Sequence, residues 1–600
     1  MRIEKFPAFA ICLVVFLVYL QTYSFEFLRF DDQDYTFLCP FVKDGLSWVN
    51  VKSAFCSFRH AAIWMPFTYI SYMFDISLFG SGMGAHHLVN ATIHAVNSVL
   101  FYWLLVGIFG RTKNGVVIAL LSTLLWALHP MRVEPVAWVA GRKELLCAFF
   151  VLLGLLAVSN LKSQILIFLS CIAACMSKPT GMCFPFLALC VAAMVRTRKS
   201  SILKSQFLTL PVAVITGLIA IYSQTHAEGY DVRTLFTAPF SVRILNAFKS
   251  LGLYLFKSIF PFNLHIDCRW STPNLPADGW GTILAAVAGL VLMGFWLISA
   301  LRDWKTAGQE DNRTKGVLLF FFLFAIVPTL GIFGSFGREA RADRFMYIPS
   351  MAFSMLLAAT LRVRKGELKI TGMTGQEDNR TIGHARIGKF SILLSLVIVY
   401  AIGTFALIPT FRNDYTAFSR VLACDPVHPR ALSHVASEEC ARFKDFDSGI
   451  RHFRDSLACE WNRDTACQLA FALATRGRKE DISDIRALGE STGIARNPES
   501  DRKALMAEAL GMAALKERRW RDAVKFFSAA VRAPSRLYPA HDAFARLGVA
   551  LANGGNLKEA EAVFSALARP GAARESVRAF AERALEQIAS SQGGRIMLFY

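Results

Sequence analysis

The sequence predicts an all-α protein in which a polytopic membrane helix bundle is followed by a soluble domain of helical repeats. Uncharged apolar runs recur along the first 410 residues, the hydropathy falls sharply after residue 410, and a 37-residue pattern repeats near the end of the chain. Of the 600 residues 54% are hydrophobic and only 18% are charged. A soluble protein of this length usually carries more charge, so the composition favours a membrane protein.

Apolar runs of about 17–25 residues are long enough to cross a bilayer as helices. We predict eleven spans, at residues 6–25, 88–109, 115–129, 144–159, 164–177, 180–195, 206–223, 280–301, 316–333, 345–361 and 389–409. No small-residue cleavage site follows the first run, which favours a retained anchor over a signal peptide. These spans define a predicted transmembrane domain at 1–410 with a first external loop at 26–86.

The net charge of +20 is concentrated in short loops, where Lys and Arg mark the cytoplasmic side rather than a nucleic-acid site. Eleven crossings place all the basic clusters on one side, at the N-terminus and at 111–113, 196–204, 302–315 and 362–389. Lys249 and Lys257 share one helical face, so we predict that 244–260 lies on the membrane surface. The predicted N-terminus is therefore cytoplasmic, and both the loop 26–86 and the residues after 410 are extracytoplasmic.

The residues after 410 contain a repeated pattern of small and aromatic residues. "GMAALKERRWRDAVKFFSAAV" (511–531) aligns with "GVALANGGNLKEAEAVFSALA" (548–568), which pairs Gly511 with Gly548, Ala514 with Leu551, Ala523 with Ala560, Phe527 with Phe564 and Ser528 with Ser565. Gly449 and Phe453 stand 74 residues before Ala523 and Phe527, and the copy around 470–490 is degenerate. The pattern is typical of tetratricopeptide repeats, whose period is 34. We predict such a domain at 411–590, with a curved surface for a peptide or protein partner; a generic bundle of helical hairpins is the alternative.

Seven of the 13 cysteines fall in predicted extracytoplasmic segments, where an oxidising environment permits disulfides. Pairing cannot be read from spacing alone. Cys39–Cys56 is one candidate pair.

Acidic residues follow the first apolar run immediately, in the stretch "FLRFDDQDYTFL" (27–38). Asp31 and Asp32 are adjacent, with Arg29 before them and Asp34 after them. Two carboxylates close together raise the pKa of one of them, which is the arrangement that general acid and base chemistry uses. A solvated loop is the alternative for any one of these acids. We predict that one of Asp31 and Asp32 is a general base and that the other orients it or binds a metal.

Polar side chains form a stripe along the second apolar run, in "HHLVNATIHAVN" (86–97). His87, Asn90, His94 and Asn97 are spaced so that they share one helix face. His87 and His94 are separated by about 10 Å of helix rise, which is too far for one metal ion. Hydrogen bonding between helices is the default explanation, and lining of the site is the functional alternative.

Ionisable groups are dense in the short predicted outer loop "LHPMRVEPVAWVAGRKELL" (128–146). It carries His129, Arg132, Glu134, Arg142, Lys143 and Glu144. Basic side chains at the membrane surface bind lipid phosphates, so we predict a donor-phosphate site from Arg142 and Lys143, with Arg344 of "GREARADRFMYIPS" (337–350) as a third member. The other predicted site-lining residues are Arg29, His87, His94, His129, Arg132 and Glu134. Structural ion pairs with Glu134, Glu144 or Asp343 are the alternative.

Several motifs together resemble one protein group. They are "FDDQDY", "WMPFTYIS", "HHLVNATIHAVNSVLF", "HPMRVEPVAWVAGRKELL", "SKPTGMCFPFLAL", "ADRFMYIPS" and, where the repeats begin, "FRNDYTAFSRVLACDPVHPRAL". In this order they are similar to the transmembrane and tetratricopeptide-repeat O-mannosyltransferases and their bacterial relatives, in the GT-C glycosyltransferase superfamily. The resemblance covers roughly residues 26–360 and resumes at 411–432.

The resemblance implies an integral membrane enzyme that takes a sugar from a polyprenyl-phosphate donor. It implies a protein or glycan acceptor outside the cytoplasm, often a protein hydroxyl, and a catalytic acid in the first external loop, which matches Asp31 and Asp32. The motif variants look closer to bacterial relatives, so the expected location is a bacterial inner membrane. No nucleic-acid partner is expected, and no motif requires a cofactor, although an acidic pair beside a phosphate can hold Mg²⁺ or Mn²⁺.

Three departures and two alternatives remain open. The family commonly carries more repeats than are counted here, Glu144 stands where an Asp is expected, and nothing selects mannose over another hexose. One alternative function is a ligase or polymerase of lipid-linked oligosaccharides. The other is a transporter or a non-catalytic repeat scaffold.

Overall fold

The computed structural model describes residues 5–161, 163–195, 199–226, 239–266, 280–305, 314–332, 341–359, 376–493, 504–533, 541–591 and 597–600. These residues are mostly helical and contain no strand, so the all-α prediction is confirmed. The chain divides into a first unit that ends at Arg420 and a second unit from Val421 to Tyr600. The boundary predicted from hydropathy lies at residue 410.

Five helices in the described chain are long and apolar enough to cross a membrane: Lys5–Ser24, Met83–Phe109, Lys204–Thr225, Trp280–Arg302 and Phe390–Phe411. A sixth candidate is a pair, Lys113–Ala127 and Pro130–Ala137, bent by 60°. Shorter apolar helices lie at Gln164–Ser177, Pro179–Met194 and Thr314–Thr329. The protein is therefore a multi-pass membrane protein. The count of eleven spans is not confirmed, because several apolar runs form helices shorter than a bilayer needs.

The other helices of the first unit are short or adjoin the long ones. They lie at Asp32–Tyr35, Trp48–Cys56, Pro66–Phe79, Val133–Ala137, Arg142–Leu156, Phe184–Met194, Phe240–Lys257, Pro349–Ala359 and Asp414–Cys424. The basic clusters at 196–198, 306–313 and 360–375 lie outside the described residues, so the predicted orientation stays a prediction.

Helix Met83–Phe109 holds the first unit together. It packs against helices Lys5–Tyr19, Lys113–Ala127 and Arg142–Leu156. Its predicted polar stripe faces inward, because His87, Asn90, His94 and Asn97 are all fully buried. The stripe therefore serves hydrogen bonds between helices, which is the default that the sequence favours.

Helix Phe240–Lys257 packs closely on helix Trp280–Lys305 through small residues. A methyl group on Gly252 would lie 2.1 Å from the carbonyl oxygen of Ala286, and one on Gly289 would lie 1.7 Å from that of Gly252. Such close backbone contact is typical of helices packed within membranes.

The location of 244–260 on the membrane surface stays a prediction, but its two lysines, Lys249 and Lys257, are not on the exposed face of the helix. Both side chains are buried, and Lys257 Nζ lies 3.1 Å from Asp343 Oδ1. Large apolar side chains on the same helix are exposed instead, among them Phe240 and Phe248. The spacing correctly predicted that both lysines lie on one face of the helix. It could not show that this face packs against the rest of the protein, where Asp343 pairs with Lys257.

The second unit is a series of helices in which neighbouring helices pack in pairs. Their bounds are Pro429–Glu438, Phe446–Cys459, Arg463–Arg476, Asp481–Thr492, Ala504–Lys516, Trp520–Arg532, His541–Asn553, Leu557–Ala568 and Glu575–Ser590. The repeated residues occupy equivalent positions. A methyl group on Gly511 would lie 2.7 Å from the ring of Phe527, and one on Gly548 would lie 2.6 Å from that of Phe564. The glycines recur because an aromatic ring of the next helix packs directly on their backbone.

The degenerate copy near 470–490 still forms a helix pair, Arg463–Arg476 and Asp481–Thr492. Gly489 there packs against Leu510 instead of an aromatic ring. Helix pairing therefore continues where the repeated sequence pattern is lost.

The suggested Cys39–Cys56 disulfide is not formed. Cys39 is buried, Cys56 is exposed, and neither is part of a disulfide.

Candidate active site

The predicted outer loop at 128–146 folds into short helical turns that are bound to the buried stripe. Asn90 Nδ2 donates to the carbonyl oxygen of Trp138 at 2.9 Å, and the hydroxyl of Tyr72 donates to that of Val139 at 2.8 Å. His87 Nδ1 lies 2.8 Å from the carbonyl oxygen of Ala137. These side chains bind backbone carbonyl groups that have no partner within the short helical turns. The contacts therefore hold the 128–146 segment in one conformation.

Asp31 and Asp32, which the sequence could not distinguish, have different environments. Asp32 is fully buried, and its two carboxylate oxygens accept hydrogen bonds from the backbone N–H groups of Leu28 at 2.9 Å and Ala140 at 2.7 Å. Burial raises the pKa of the Asp32 carboxyl well above its usual range, although these two hydrogen bonds oppose the change. Asp32 thus joins the segment that follows the first apolar helix to the 128–146 segment, and both of its carboxylate oxygens are occupied.

Asp31 is the acid that solvent reaches. Its side chain is 28% exposed, and its backbone is left-handed with φ 71°. Non-glycine residues in this conformation are uncommon and often occur at functional sites, where the surrounding structure enforces them. Asp31 Oδ2 lies 3.4 Å from the Tyr35 hydroxyl and 3.9 Å from Lys143 Nζ. The exposed carboxylate of the pair is therefore the one beside a cation.

Lys143 is held in an aromatic surrounding. Its Nζ atom lies 4.7 Å from the centre of the Tyr35 ring and 5.1 Å from that of Trp138, and its side chain is only 4% exposed. Aromatic faces stabilise a cation without neutralising it. Burial lowers the pKa of the Lys143 ammonium group, and the nearby carboxylates of Glu144 and Asp31 oppose this change.

Arg344 lies over the same Trp138 ring, with its Cζ atom 5.1 Å from the ring centre. Glu134 holds it through an ion pair to Nη1 and accepts a hydrogen bond from the Arg344 backbone N–H at 2.8 Å. Arg344 Nε also lies 3.5 Å from Glu144 Oε1, the oxygen that Lys178 Nζ approaches to 2.7 Å. Three cations thus converge around Trp138 and Glu144, namely Lys143, Lys178 and Arg344.

Arg142 does not have the environment that was predicted for it. Its guanidinium is fully buried and forms an ion pair with Asp75, while Nε donates to Asn90 Oδ1 at 2.8 Å and Nη2 to the carbonyl oxygen of His86 at 2.8 Å. The face of the guanidinium lies 4.7 Å from the Tyr72 ring centre. All three nitrogens are therefore used inside the protein, and the partner is Asp75 rather than any of the acids predicted.

The structure places the predicted site-lining residues in separate regions of the first unit. Glu134 lies in the cluster just described. Arg29, two residues before Asp31, turns to Asp414 instead: Asp414 accepts from the Arg29 backbone N–H at 2.9 Å, and Arg29 Nε lies 3.5 Å from Asp414 Oδ2. His87 binds both the 128–146 segment and the loop, since its Nε2 lies 3.3 Å from the carbonyl oxygen of Glu26.

His94, His129 and Arg132 lie among buried groups of the helix bundle. His94 lies 2.6 Å from the hydroxyl of Tyr347, and Arg132 Nη1 donates to the carbonyl oxygen of Met346 at 2.9 Å. His129 accepts from the backbone N–H of Met131 at 3.2 Å and so begins the turn after Pro130. Their observed contacts are structural ones.

Sequence reasoning missed Trp138, Lys178, Asp75 and Asp414 as members of this region. Trp138, Lys178 and Asp414 lie inside motifs that carry the resemblance, but no role was predicted for them. Asp75 had a signal of its own, because a single acid in an apolar helix is a costly placement that needs a partner. Asp414 could not be found from spacing, since it is 385 residues from its partner Arg29.

No group of three or more His, Cys, Asp and Glu residues in the described chain is arranged to hold a metal ion. Dependence on Mg²⁺ or Mn²⁺ stays a prediction.

Comparison with characterised sequences agrees with the motif resemblance. The chain is 22% identical to Protein O-mannosyl-transferase TMTC3 of Homo sapiens over 502 residues, which cover 74% of this chain and 48% of the relative. This chain is similar to protein O-mannosyl-transferases. A second relative, from Caenorhabditis elegans, is 24% identical over 300 residues, covering 49% of this chain and 41% of its own length.

A third relative, Protein O-mannosyl-transferase TMTC4 of Mus musculus, is 26% identical over 354 residues, covering 49% of this chain and 46% of its own length. The chain thus spans about half the length of the curated relatives it matches. No protein-family profile and no solved structure matches the chain. The resemblance predicted from the motifs is confirmed, and a bacterial origin stays a prediction.

Proposed function

We propose that this protein is a membrane O-mannosyltransferase of the GT-C type that transfers one mannose from a polyprenyl-phosphate donor to a protein hydroxyl. The names of its relatives support the reaction class. The observation that carries the proposal is the pairing of Asp31, a partly exposed carboxylate in the predicted first external loop, with Lys143, a buried cation of the 128–146 segment. An active site of this reaction needs both groups where a lipid donor meets a water-borne acceptor.

In the proposed reaction Asp31 takes the proton of the acceptor hydroxyl as its oxygen attacks the anomeric carbon of the sugar. The bond from that carbon to the phosphate oxygen breaks, and the polyprenyl phosphate leaves with the electron pair. Lys143 and Arg344, which share the Trp138 ring, stabilise the charge that develops on the phosphate. Lys178 pairs with Glu144 at 2.7 Å and so offsets the negative charge that Glu144 would otherwise place beside Lys143 and Arg344. Arg142 belongs to the supporting framework of this site and not to the phosphate contacts.

The proposed location is a bacterial inner membrane, with the first external loop and the repeat unit in the periplasm. Alkaline phosphatase fused after residue 600 is then active, and the same fusion after residue 200 is inactive. An active fusion at residue 200 would contradict the orientation.

The reaction is tested with membranes that contain the protein, polyprenyl-phosphate [¹⁴C]mannose and a periplasmic extract as acceptor. We expect label in protein and intact-mass increments of one hexose. Increments of a whole glycan would support an oligosaccharide ligase instead. If GDP-mannose served equally well in membranes stripped of polyprenyl phosphate, the proposed donor class would be wrong.

A further inference from the structure

A four-residue segment, 597–600, lies on the surface of the second unit against helices His541–Asn553 and Glu575–Ser590. Its contacts reach both helices: Leu598 pairs with Asn553, and the Tyr600 ring lies 4.6 Å from that of Phe580. The segment is therefore held as a ligand would be held, by side chains of two neighbouring repeat helices.

Asn553 binds the backbone of the segment rather than a side chain. Its Nδ2 donates to the carbonyl oxygen of Leu598 at 2.9 Å, and the backbone N–H of Leu598 donates to its Oδ1 at 2.7 Å. One side-chain amide thus satisfies both polar groups of one residue, as a neighbouring strand would do. Because Asn553 contacts only backbone atoms of the segment, this contact does not select a side chain. It can form with any sequence whose backbone is extended at that point.

Side chains of the segment alternate between the protein and solvent. Leu598 is 3% exposed and belongs to the apolar cluster that contains Val549, Phe564 and Ala581, whereas Met597 and Phe599 are 48% and 82% exposed. Alternation with a period of two is the pattern of an extended chain. The groove therefore selects the side chain at the position of Leu598 and leaves its two neighbours free.

A second, half-exposed side-chain position surrounds Tyr600, which is 44% exposed but has contacts on its ring and on its hydroxyl. The guanidinium of Arg546 lies 5.5 Å from the centre of the tyrosine ring, Phe580 meets the ring edge to face, and Asp542 accepts a hydrogen bond from the hydroxyl. Arg546 and Phe580 bind the aromatic ring, and Asp542 binds the hydroxyl group. An aliphatic side chain could not make these contacts, so the position favours tyrosine.

We propose that this face is a binding groove for an extended polypeptide segment with a leucine followed two residues later by a tyrosine, and that residues 597–600 are its built-in, displaceable occupant. A segment that merely covered the apolar cluster would not need the paired Asn553 contact and would not expose Phe599. The groove binds a partner protein when such a partner segment displaces residues 597–600.

The test uses the full chain in detergent and a fluorescent, amidated peptide of residues 594–600, "GRIMLFY". In the variant Leu598→Asp, which places a charge in the apolar cluster, the built-in segment is released. We expect the peptide to bind this variant at least tenfold more tightly than it binds the parent. Tyr600→Ala, which leaves Leu598 in place, gives an intermediate gain and serves if the first variant does not fold.

Adding Asn553→Ala to either variant weakens peptide binding at least tenfold, while Gln587→Ala, on an exposed part of helix Glu575–Ser590, leaves it unchanged. A peptide with unrelated flanking residues but the same leucine–x–tyrosine spacing binds within tenfold of the original. Equal affinity for the parent and both variants, or no binding to any of them, would overturn the proposal and leave residues 597–600 as a structural cover only.

Discussion

The ion pair of Asp75 and Arg142 decides whether Arg142 is a framework residue or part of the donor site. Both side chains are buried, with 3% and 0% exposure. Removing one partner of such a pair leaves a buried charge without compensation, which costs about 3–5 kcal/mol. We therefore expect Asp75→Leu and Arg142→Met each to destabilise the first unit by that amount, which lowers the apparent melting temperature by about 5–10 °C.

The double variant Asp75→Leu/Arg142→Met removes both charges together. Its remaining losses are the contact of Asp75 with His86 Nδ1, at 3.2 Å, and the hydrogen bonds of Arg142 to Asn90 and to the carbonyl oxygen of His86, at about 1 kcal/mol each. We expect the double variant to be no less stable than either single one, so that the two effects are far from additive.

The assay is thermal unfolding in detergent, followed by size-exclusion chromatography of a fluorescent fusion. Arg111→Met, at an exposed position, is the matched control and changes stability by less than about 0.5 kcal/mol. If Arg142→Met kept the parental melting temperature and raised the KM for the donor more than tenfold, Arg142 would contact the donor and the framework role would be wrong.

Three further predictions follow from the geometry. Asp32→Asn keeps one acceptor oxygen and turns its NH₂ group toward one of the two backbone N–H groups that Asp32 binds, whereas Asp32→Ala leaves both buried N–H groups unpaired and costs about 2–6 kcal/mol, measured by the same thermal assay; equal stability of both would contradict this. Lys143→Gln and Arg344→Gln each raise the donor KM at least tenfold with little change in acceptor KM, and an unchanged donor KM with lost stability would show purely structural ion pairs. Gly548→Ala forces the Phe564 ring to move and costs about 1–3 kcal/mol, measured by unfolding of the second unit, and parental stability would refute the close contact.

The fold class could be predicted because membrane helices and repeat helices each have a strong local signal. Long apolar runs predicted the helices at Met83–Phe109 and Trp280–Lys305, and the recurrence of Gly511 with Phe527 predicted helix pairs. The count of eleven spans is not confirmed, because the predicted runs 115–129, 164–177 and 180–195 correspond to helices of only 15, 14 and 11 residues, which are shorter than a bilayer needs.

The candidate site could be predicted only in part. Asp31, Lys143 and Arg344 were found because each is a charge at the end of an apolar run. What separates Asp31 from Asp32 is the backbone of Leu28 and Ala140, which approaches one carboxylate and not the other. No local pattern encodes such a contact, since Ala140 is 108 residues away in the chain.

The central claim, that Asp31 is the general base of sugar transfer, is tested most directly by the transfer rate of Asp31→Asn. Asparagine accepts the left-handed backbone of this position and keeps the size of the side chain, so folding is preserved while the proton acceptor is lost. We expect kcat with polyprenyl-phosphate mannose to fall by about 10²–10⁴-fold at parental melting temperature, with an effect below about tenfold for the exposed control Asp34→Asn. Transfer by Asp31→Asn at the parental rate would contradict the claim.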